Sequence, residues 1–354
     1  MLEFVKMGVS FQHIHLIGKC YSTNPLILTQ MLSEGFNVSP SSVSFENDEP
    51  FDIQYTRYLA RFLQKTLKKI DPKKFRKIII LDDGGDLILQ SQEILKDCSR
   101  LVGIEQTTSG YEKLKKSNLK FPIINVARSE TKLIYESPII AKLVVDKIYR
   151  SLKKLSLKPK NVLLIGNGAI GQNIHRFLIG HLDIQVYDKN ECLSNVTGHD
   201  FKNILKNFDM IIGCTGREVI SDNDYHLLKK NAVLASASSS DREFDAGCVR
   251  KGLKPSSCHS HLLINGINLL NCGFPINFDD DYSTVDSEHF QLTRSLLSAA
   301  IFQASELDVN EPGILMLDPE MQRDIIAKFL KLYQTDDSQN SVDRQSYQTN
   351  YKMR

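Results

Sequence analysis

The sequence predicts an α/β protein of two domains, each built on a parallel sheet, and three observations carry that expectation. The chain has 354 residues, and at roughly 150 residues per domain that length suits two domains. Short apolar runs of strand character alternate with helical stretches along most of it, the pattern of parallel α/β architecture. The strand-like runs end in polar loops bearing Gly or Thr, and open parallel sheets bind ligands at that edge. A chain that is 42% apolar and 24% charged has ordinary globular composition. It is long enough to bury a core without disulfide or metal staples.

The first clear strand is Ile78 to Leu81, which ends in Asp82-Asp83-Gly84-Gly85-Asp86. Leu101 to Ile104 follows and runs into Glu105-Gln106-Thr107-Thr108-Ser109-Gly110. A third run, Pro122 to Val126, leads to Ala127-Arg128-Ser129-Glu130-Thr131-Lys132. A long helix is then expected from Ser137 as N-cap and Pro138 at the first helical position, with Ile140, Val144, Ile148 and Leu152 spaced as one apolar stripe. Lys154 to Lys160, with Pro159, has linker composition. The expected boundaries are therefore 1–154 for a substrate-type α/β domain and 155–272 for a second α/β domain.

In the second domain, strands are expected at Asn161 to Ile165, Ile184 to Tyr187, Met210 to Cys214 and Ala232 to Ala237. A hairpin is expected over His261 to Cys272, because Asn265-Gly266 sits between two apolar runs. Residues 273–334 should return to the first domain as helices near Glu288 to Leu307 and Pro319 to Tyr333, the latter capped by Asp318. Residues 335–354 are polar without periodicity and are expected to be a mobile tail.

Charge and cysteine usage exclude several classes. Lys and Arg total 44 against 42 Asp and Glu, a net charge of +2, so bulk electrostatics gives no reason to expect a nucleic-acid or membrane partner. No apolar run is long enough to span a bilayer, and the first residues lack a signal-like apolar core. The seven cysteines are odd in number, scattered and without a Cys-x-x-Cys pair, which suits reduced thiols in a cytoplasm. Cys258-His259-Ser260-His261 matches no common zinc spacing, so no metal is expected.

Gly166-x-Gly168-Ala169-Ile170-Gly171 carries the most specific chemistry. It follows a five-residue apolar strand, opens a helix, and has Asp188 22 positions beyond Gly166. The first glycine makes the tight turn, the second lets the backbone approach a pyrophosphate, and the third allows close helix packing. The acid would bond ribose hydroxyls and repel a 2′-phosphate. The expectation is a Rossmann-type domain that takes NAD rather than NADP.

With that fingerprint in place, the three earlier loops gain a precedent. Asp82 to Leu87, Glu105 to Gly110, and Ile124-Asn125-Val126 with Thr131-Lys132 come in the order and spacing of S-adenosylhomocysteine hydrolases, followed by the glycine loop. From Ile78 to Asn271 the chain resembles a divergent, shorter member of that family. The resemblance implies a substrate domain and an NAD domain, and chemistry in which bound NAD+ oxidises a ribose 3′-hydroxyl. It implies Lys132, Asp83 and Glu136 as the catalytic set, Lys132 being the candidate base, with Gln106 against the substrate. It implies Thr107, Thr108, Ser109, Thr215 and Asn271 as cofactor contacts beside the glycine loop and Asp188. A homo-oligomer and a small-molecule substrate of nucleoside type are likewise implied.

Several family positions differ. Gln106 replaces a Glu that holds sugar hydroxyls, and Glu136 and Ser137 replace Asp and Asn. Ser238-Ser239-Ser240-Asp241 replaces Gly-His-Phe-Asp, Gly273-Phe274-Pro275 stands where a second His motif falls, and Lys19, Tyr21 and Thr23 occupy adenosine-facing positions. Three functions stay open on these residues: an NAD-dependent enzyme with an altered substrate, a non-catalytic NAD-binding relative, and an authentic hydrolase.

Overall fold

The computed structural model describes residues 5, 8–96, 100–196, 201–281, 289–308 and 311–333. Its strands in chain order are β1 (His15–Leu16), β2 (Asn37–Val38), β3 (Ile78–Asp82), β4 (Leu101–Glu105), β5 (Pro122–Asn125) and β6 (Asn161–Ile165). They continue as β7 (Asp183–Tyr187), β8 (Met210–Gly213), β9 (Val233–Ser236), β10 (Leu262–Ile264), β11 (Ile267–Leu269) and β12 (Gly313–Met316). The fold is α/β with parallel sheets, as expected, and it forms two compact units. One comprises Met1–Pro72 with Ile140–Thr284, the other Lys73–Ile139 with Val285–Arg354.

The first unit holds a six-stranded sheet in the order β10-β11-β9-β8-β6-β7. It is parallel except for the β10–β11 hairpin, where Ile264 pairs with Ile267. Asn265 (φ 51°) and Gly266 (φ 82°) form the turn, the positive pair that a two-residue hairpin needs. Helix Ser137–Lys154 lays Val144, Ile148 and Leu152 against Val162, Leu164, Met210 and Ile212 of this sheet. At about 1.5–3 kcal/mol per buried aliphatic side chain, that stripe ties the helix to the sheet that follows it. This moves the division away from the expected 154/155 linker.

Residues 1–72 also belong to this unit rather than to the expected substrate domain. They carry a 19-residue helix, Phe51–Lys69, and the short parallel pair β1–β2, neither of which the apolar pattern had singled out. Their attachment is polar as well as apolar. The Asp241 carboxylate accepts the Phe51 N–H at 3.1 Å, Asn47 Nδ2 donates to the Arg250 carbonyl at 2.7 Å, and Pro50 lies where any side chain on Gly247 would go.

The second unit is a four-stranded, wholly parallel sheet in the order β12-β5-β4-β3. Helices His289–Glu306 and Pro319–Tyr333 belong to it, and Leu292, Leu296, Ala300 and Ala304 bury against Val102, Ile104 and Ile124. Asp318 caps the second helix by accepting the Glu320 and Met321 N–H groups. The return from 273 onward is not purely helical, because β12 adds a strand beside β5. Glu288 and the expected tail lie outside the described residues.

Candidate functional site

Two regions gather the sequence-predicted residues, one in each unit. In the six-stranded sheet, β6 lies between β7 and β8, so the chain order reverses at β6 and its carboxyl end is the topological switch point. Gly166 turns there with φ +98° and its N–H bonds the Tyr187 carbonyl at 2.8 Å. A Cβ on Gly166 would meet the Cys214 carbonyl carbon and Thr215 Cγ2 at 3.0 Å, and one on Gly171 would lie 2.0 Å from the Gly166 oxygen. At Gly168, by contrast, a Cβ would meet nothing within 4 Å. Two glycines therefore serve close packing and the middle one leaves open space at the N-terminus of helix Ala169–Leu178, where a phosphate is favoured by free N–H groups and the helix dipole.

Asp188 follows β7 and is half-buried. Its Oδ2 accepts the Asn167 N–H at 2.7 Å and its Oδ1 the Asn190 N–H at 2.9 Å, which fixes the carboxylate beside the glycine loop. Asn167 donates its side-chain amide to the Leu193 carbonyl, while its buried Oδ1 has no partner. These residues fit a dinucleotide: an open glycine cradle, a helix N-terminus and an acid with lone pairs to spare.

Thr215 and Asn271 are more committed than expected. Thr215 N and Oγ1 both donate to Glu243 Oε1, at 2.5 and 3.0 Å. Glu243 is fully buried, also accepts from Gly216 N and Ser236 Oγ, and leaves no room for a side chain at Gly213. Burial raises its carboxyl above the usual range against the pull of those donors. Asn271, also fully buried, is in the left-handed region at φ 52°. Its amide donates to the Pro275 and Phe278 carbonyls. The serine run is likewise structural, Ser238 Oγ accepting from Gly216 N and Ser240 Oγ donating to Asp52. Tyr21 is buried, stacks on Phe274 and accepts from Ser240 N, and Thr23 bonds the Lys19 carbonyl.

The other region lies at the carboxyl edge of the four-stranded sheet. Asp83 follows β3, Gln106 follows β4, and Lys132 lies in the turn after β5, so three neighbouring parallel strands deliver them to one edge. Gln106 Nε2 donates to Asp83 Oδ2 at 3.2 Å. A Glu at 106 would set two carboxylates there, and the amide replaces that repulsion with a bond. Lys132 Nζ lies 2.8 Å from Glu136 Oε2, both side chains mostly buried at 16% and 7% exposure. Thr293 Oγ1 donates a short hydrogen bond to the other Glu136 oxygen.

The backbone around this pair is unusual. Ser137 was expected to start a helix, but it lies within one (φ −59°, ψ −40°), preceded by a π-helical turn over Lys132–Glu136. Ser129 caps the start instead, accepting the Lys132 N–H at 3.3 Å. The Ser-Pro signal misled because Pro138 tolerates an upstream helix once the π-turn has disrupted the usual bonding. Wide turns of this kind recur at functional sites.

Glu105, a motif residue not singled out for a site role, proves central to this edge. It is 1% exposed, and its Oε1 accepts from Thr107 N at 2.7 Å, Thr107 Oγ1 at 2.6 Å and Gly84 N at 3.2 Å, while Oε2 has no partner. Burial first, and the nearby Asp82 carboxylate second, push it up to about 8. Gly110 must be glycine because a Cβ would fall within 2.5 Å of that carboxylate. Thr107 is thereby held as N-cap of helix Thr108–Leu114, accepting from Gly110 N, with Thr108 exposed and Ser109 half-buried.

No family model matches the chain. An uncharacterized protein of Mycobacterium tuberculosis is 36% identical over 339 residues, covering 92% of this chain and 66% of its own. The adenosylhomocysteinase of Thermoplasma volcanium is 30% identical over 196 residues, covering 51% of this chain and 46% of its own. Among solved structures, NAD+-bound 3-phosphoglycerate dehydrogenase of Entamoeba histolytica matches 66% of this chain and 74% of its own at 12% identity, with a TM-score of 0.36. This chain thus spans just under two thirds of the mycobacterial relative and under half of the adenosylhomocysteinase. It is a Rossmann-type α/β protein with distant similarity to adenosylhomocysteinase over about half its length.

Proposed function

We propose that the protein is an NAD-dependent enzyme that oxidises a hydroxyl of a small molecule, of nucleoside or thioether-nucleoside type, altered from S-adenosylhomocysteine. The observation that carries this reading is the Lys132–Glu136 pair, held at 2.8 Å with little exposure in a π-turn at a parallel sheet's carboxyl edge. A solvated surface lysine needs no such enclosure. Gly166, Gly168, Gly171 and Asp188 would hold the dinucleotide, which when bound supplies a hydride acceptor. Lys132 would take or relay the hydroxyl proton, Glu136 would hold Lys132 in position, and Thr293 would orient Glu136. Asp83, hydrogen-bonded on one side by Gln106, would accept a further substrate hydroxyl.

Gln106 is the reason to expect a changed substrate. An amide can hydrogen-bond a sugar hydroxyl but cannot take its proton, so efficient cleavage of S-adenosylhomocysteine is not expected. The test begins with mass spectrometry of small molecules released from denatured protein. A single-turnover assay then mixes NAD+-loaded protein with adenosine or S-adenosylhomocysteine and follows NADH absorbance. Bound NAD with absorbance growth that Lys132→Met abolishes supports the enzyme. Bound NAD with no redox change for any nucleoside would favour a non-catalytic binding role.

A further inference from the structure

Two lysines lie about the carboxyl edge of the four-stranded sheet, and an acid of the same unit neutralises each. Lys132 pairs with Glu136 at 2.8 Å, and Lys113 pairs at 2.7 Å with Asp86, the first residue of the helix after β3. Arg128 differs. It stands in the loop after β5 with its side chain exposed, and its guanidinium carbon lies 5.9 Å from the centre of the Tyr111 ring. Tyr111 belongs to helix Thr108–Leu114, which follows β4. The arginine thus reaches from one strand end toward the next, where Gln106 stands. An aromatic face steadies a guanidinium without occupying its N–H donors. Among the described residues no acceptor meets those donors, although the exposed Glu130 is only two positions on.

The loop that carries Arg128 is fixed on both sides. The Arg128 N–H bonds Asn125 Oδ1 at 3.1 Å, and Asn125 is 1% exposed. The Val126 and Ala127 N–H groups both bond the Glu105 carbonyl, and the N–H of buried Ser129 bonds the Val126 carbonyl.

We propose that Arg128 is an oxyanion-binding residue, and that the substrate of this edge bears a phosphate or carboxylate besides the hydroxyl to be oxidised. The inference rests on the function proposed above and narrows its substrate. A guanidinium fork matches either oxyanion with two parallel N–H bonds, and a loop held before binding loses little freedom on capture. The neighbouring groups suit an anion. Gln106 brings an amide where a carboxylate would repel it. The Glu105 carboxyl, pushed up to about 8 chiefly by burial, holds its proton near neutrality. The exposed Asp83 follows β3, two strands away from the strand that carries Arg128.

The test measures binding, so its result stands apart from the redox reaction. Full-length protein in excess NAD+ is titrated calorimetrically with two pairs of ligands that differ in their anion. Adenosine 5′-monophosphate against adenosine reads a phosphate, and S-adenosylhomocysteine against 5′-methylthioadenosine reads a carboxylate. In one pair the anionic member should bind about tenfold or more tighter, an advantage that shrinks at higher salt, and that pair names the group. Arg128→Gln should abolish the advantage while leaving Tm and the affinity of the uncharged member unchanged. Arg128→Lys, which keeps the charge and lacks the fork, should retain only part of it. No advantage in either pair, or one that survives Arg128→Gln, overturns the proposal. NADH formed from adenosine without an anion advantage removes Arg128 and leaves the oxidation standing. An Arg128-dependent advantage in a protein that never reduces NAD+ keeps the anion site and sinks the oxidation.

Discussion

The glycine loop of one unit and the acidic edge of the other use opposite means to prepare a polar site. At the loop, backbone does the work: Gly166 and Gly171 bring chain segments into contact, and Gly168 leaves space open. Its one acid, Asp188, stays half-exposed with backbone donors on both oxygens. At the acidic edge, side chains do the work. Asp82, Glu105 and Glu136 are all nearly buried and are held by other groups of the same edge. A site made by backbone is robust to its surroundings, whereas one made by buried carboxylates depends on every neighbour that burial recruits.

The widest gap between structural and ligand-facing glycines should appear in one pair of substitutions. Gly171→Ala places a methyl 2.0 Å from the Gly166 oxygen, and backbone cannot yield there without prying the helix from β6. We expect a loss of about 3 kcal/mol or more in stability and no measurable NAD binding. Gly168→Ala meets open space at φ −74° and should leave Tm within a degree or two while weakening NAD binding about tenfold or more. Thermal melting with calorimetric titration separates the two, and equal effects on Tm would show that the loop is only a turn.

The acidic edge makes a complementary prediction about pH. Glu105 is pushed up to about 8 in the folded chain from an ordinary value of 4.5, chiefly by burial and next by Asp82. Between those values the native chain holds a proton that the unfolded chain releases. The stability from this group is therefore complete below about 4.5 and is lost as pH rises through about 8, with a slope of up to about 1.4 kcal/mol per pH unit. Glu105→Gln keeps an acceptor for Thr107 and cannot ionise, so it should flatten the dependence of Tm on pH in that window. A profile equally steep in the variant would remove Glu105 from the account.

The contrast also explains what was legible in the sequence. The glycine spacing, the Asn265-Gly266 turn and the Asp318 cap are local features whose conformations follow from residue type, and the structure forms the hairpin and the cap as expected. The parallel strands were equally plain, because runs such as Ile78 to Leu81 are bounded by polar loops. Helix Ser137–Lys154 was recognised by its stripe but attributed to the wrong unit, since periodicity reveals a buried face and not what covers it. Residues 1–72 were misplaced for a related reason: Asn47–Arg250 and Phe51–Asp241 contacts span some 200 residues. Glu105 was seen only as part of a motif and given no site role, and Glu243 was not singled out. A carboxylate in a polar loop motif looks solvated until tertiary burial turns it into an acceptor for surrounding N–H groups.

Lys132 sharpens the comparison from the catalytic side. If the acidic edge handles protons, Lys132→Met should slow single-turnover NAD+ reduction by about 10²-fold or more without loss of NAD affinity, since the glycine loop is untouched. Glu136→Gln keeps a partner for Thr293 and should cost about tenfold, because it loosens the lysine without removing it. Single-turnover rates measured with one substrate accepted by all three proteins decide the point. A Lys132→Met rate equal to that of the unsubstituted protein would rule out a role for Lys132 in the proton transfer.

Cofactor choice provides the smallest effect and the cleanest separation of charge from geometry. Asp188 accepts the Asn167 N–H through Oδ2 and the Asn190 N–H through Oδ1, yet a carboxylate oxygen has two lone pairs and can accept a ribose hydroxyl as well. A 2′-phosphate brought to the same place would meet a fixed negative charge and would offer no hydroxyl there. Removing the side chain in Asp188→Ala should therefore narrow the preference for NAD over NADP by about tenfold, near 1.4 kcal/mol. It also frees two loop N–H groups, so that result alone cannot separate repulsion from loop disorder. Asp188→Asn can retain an acceptor for Asn167 while losing the charge. If charge is the discriminator, calorimetric titration should find the preference narrowed about as far in Asp188→Asn as in Asp188→Ala, with Tm preserved only in the former. Equal affinity for NAD and NADP in the unsubstituted protein would show that Asp188 organises the loop and does not select the cofactor.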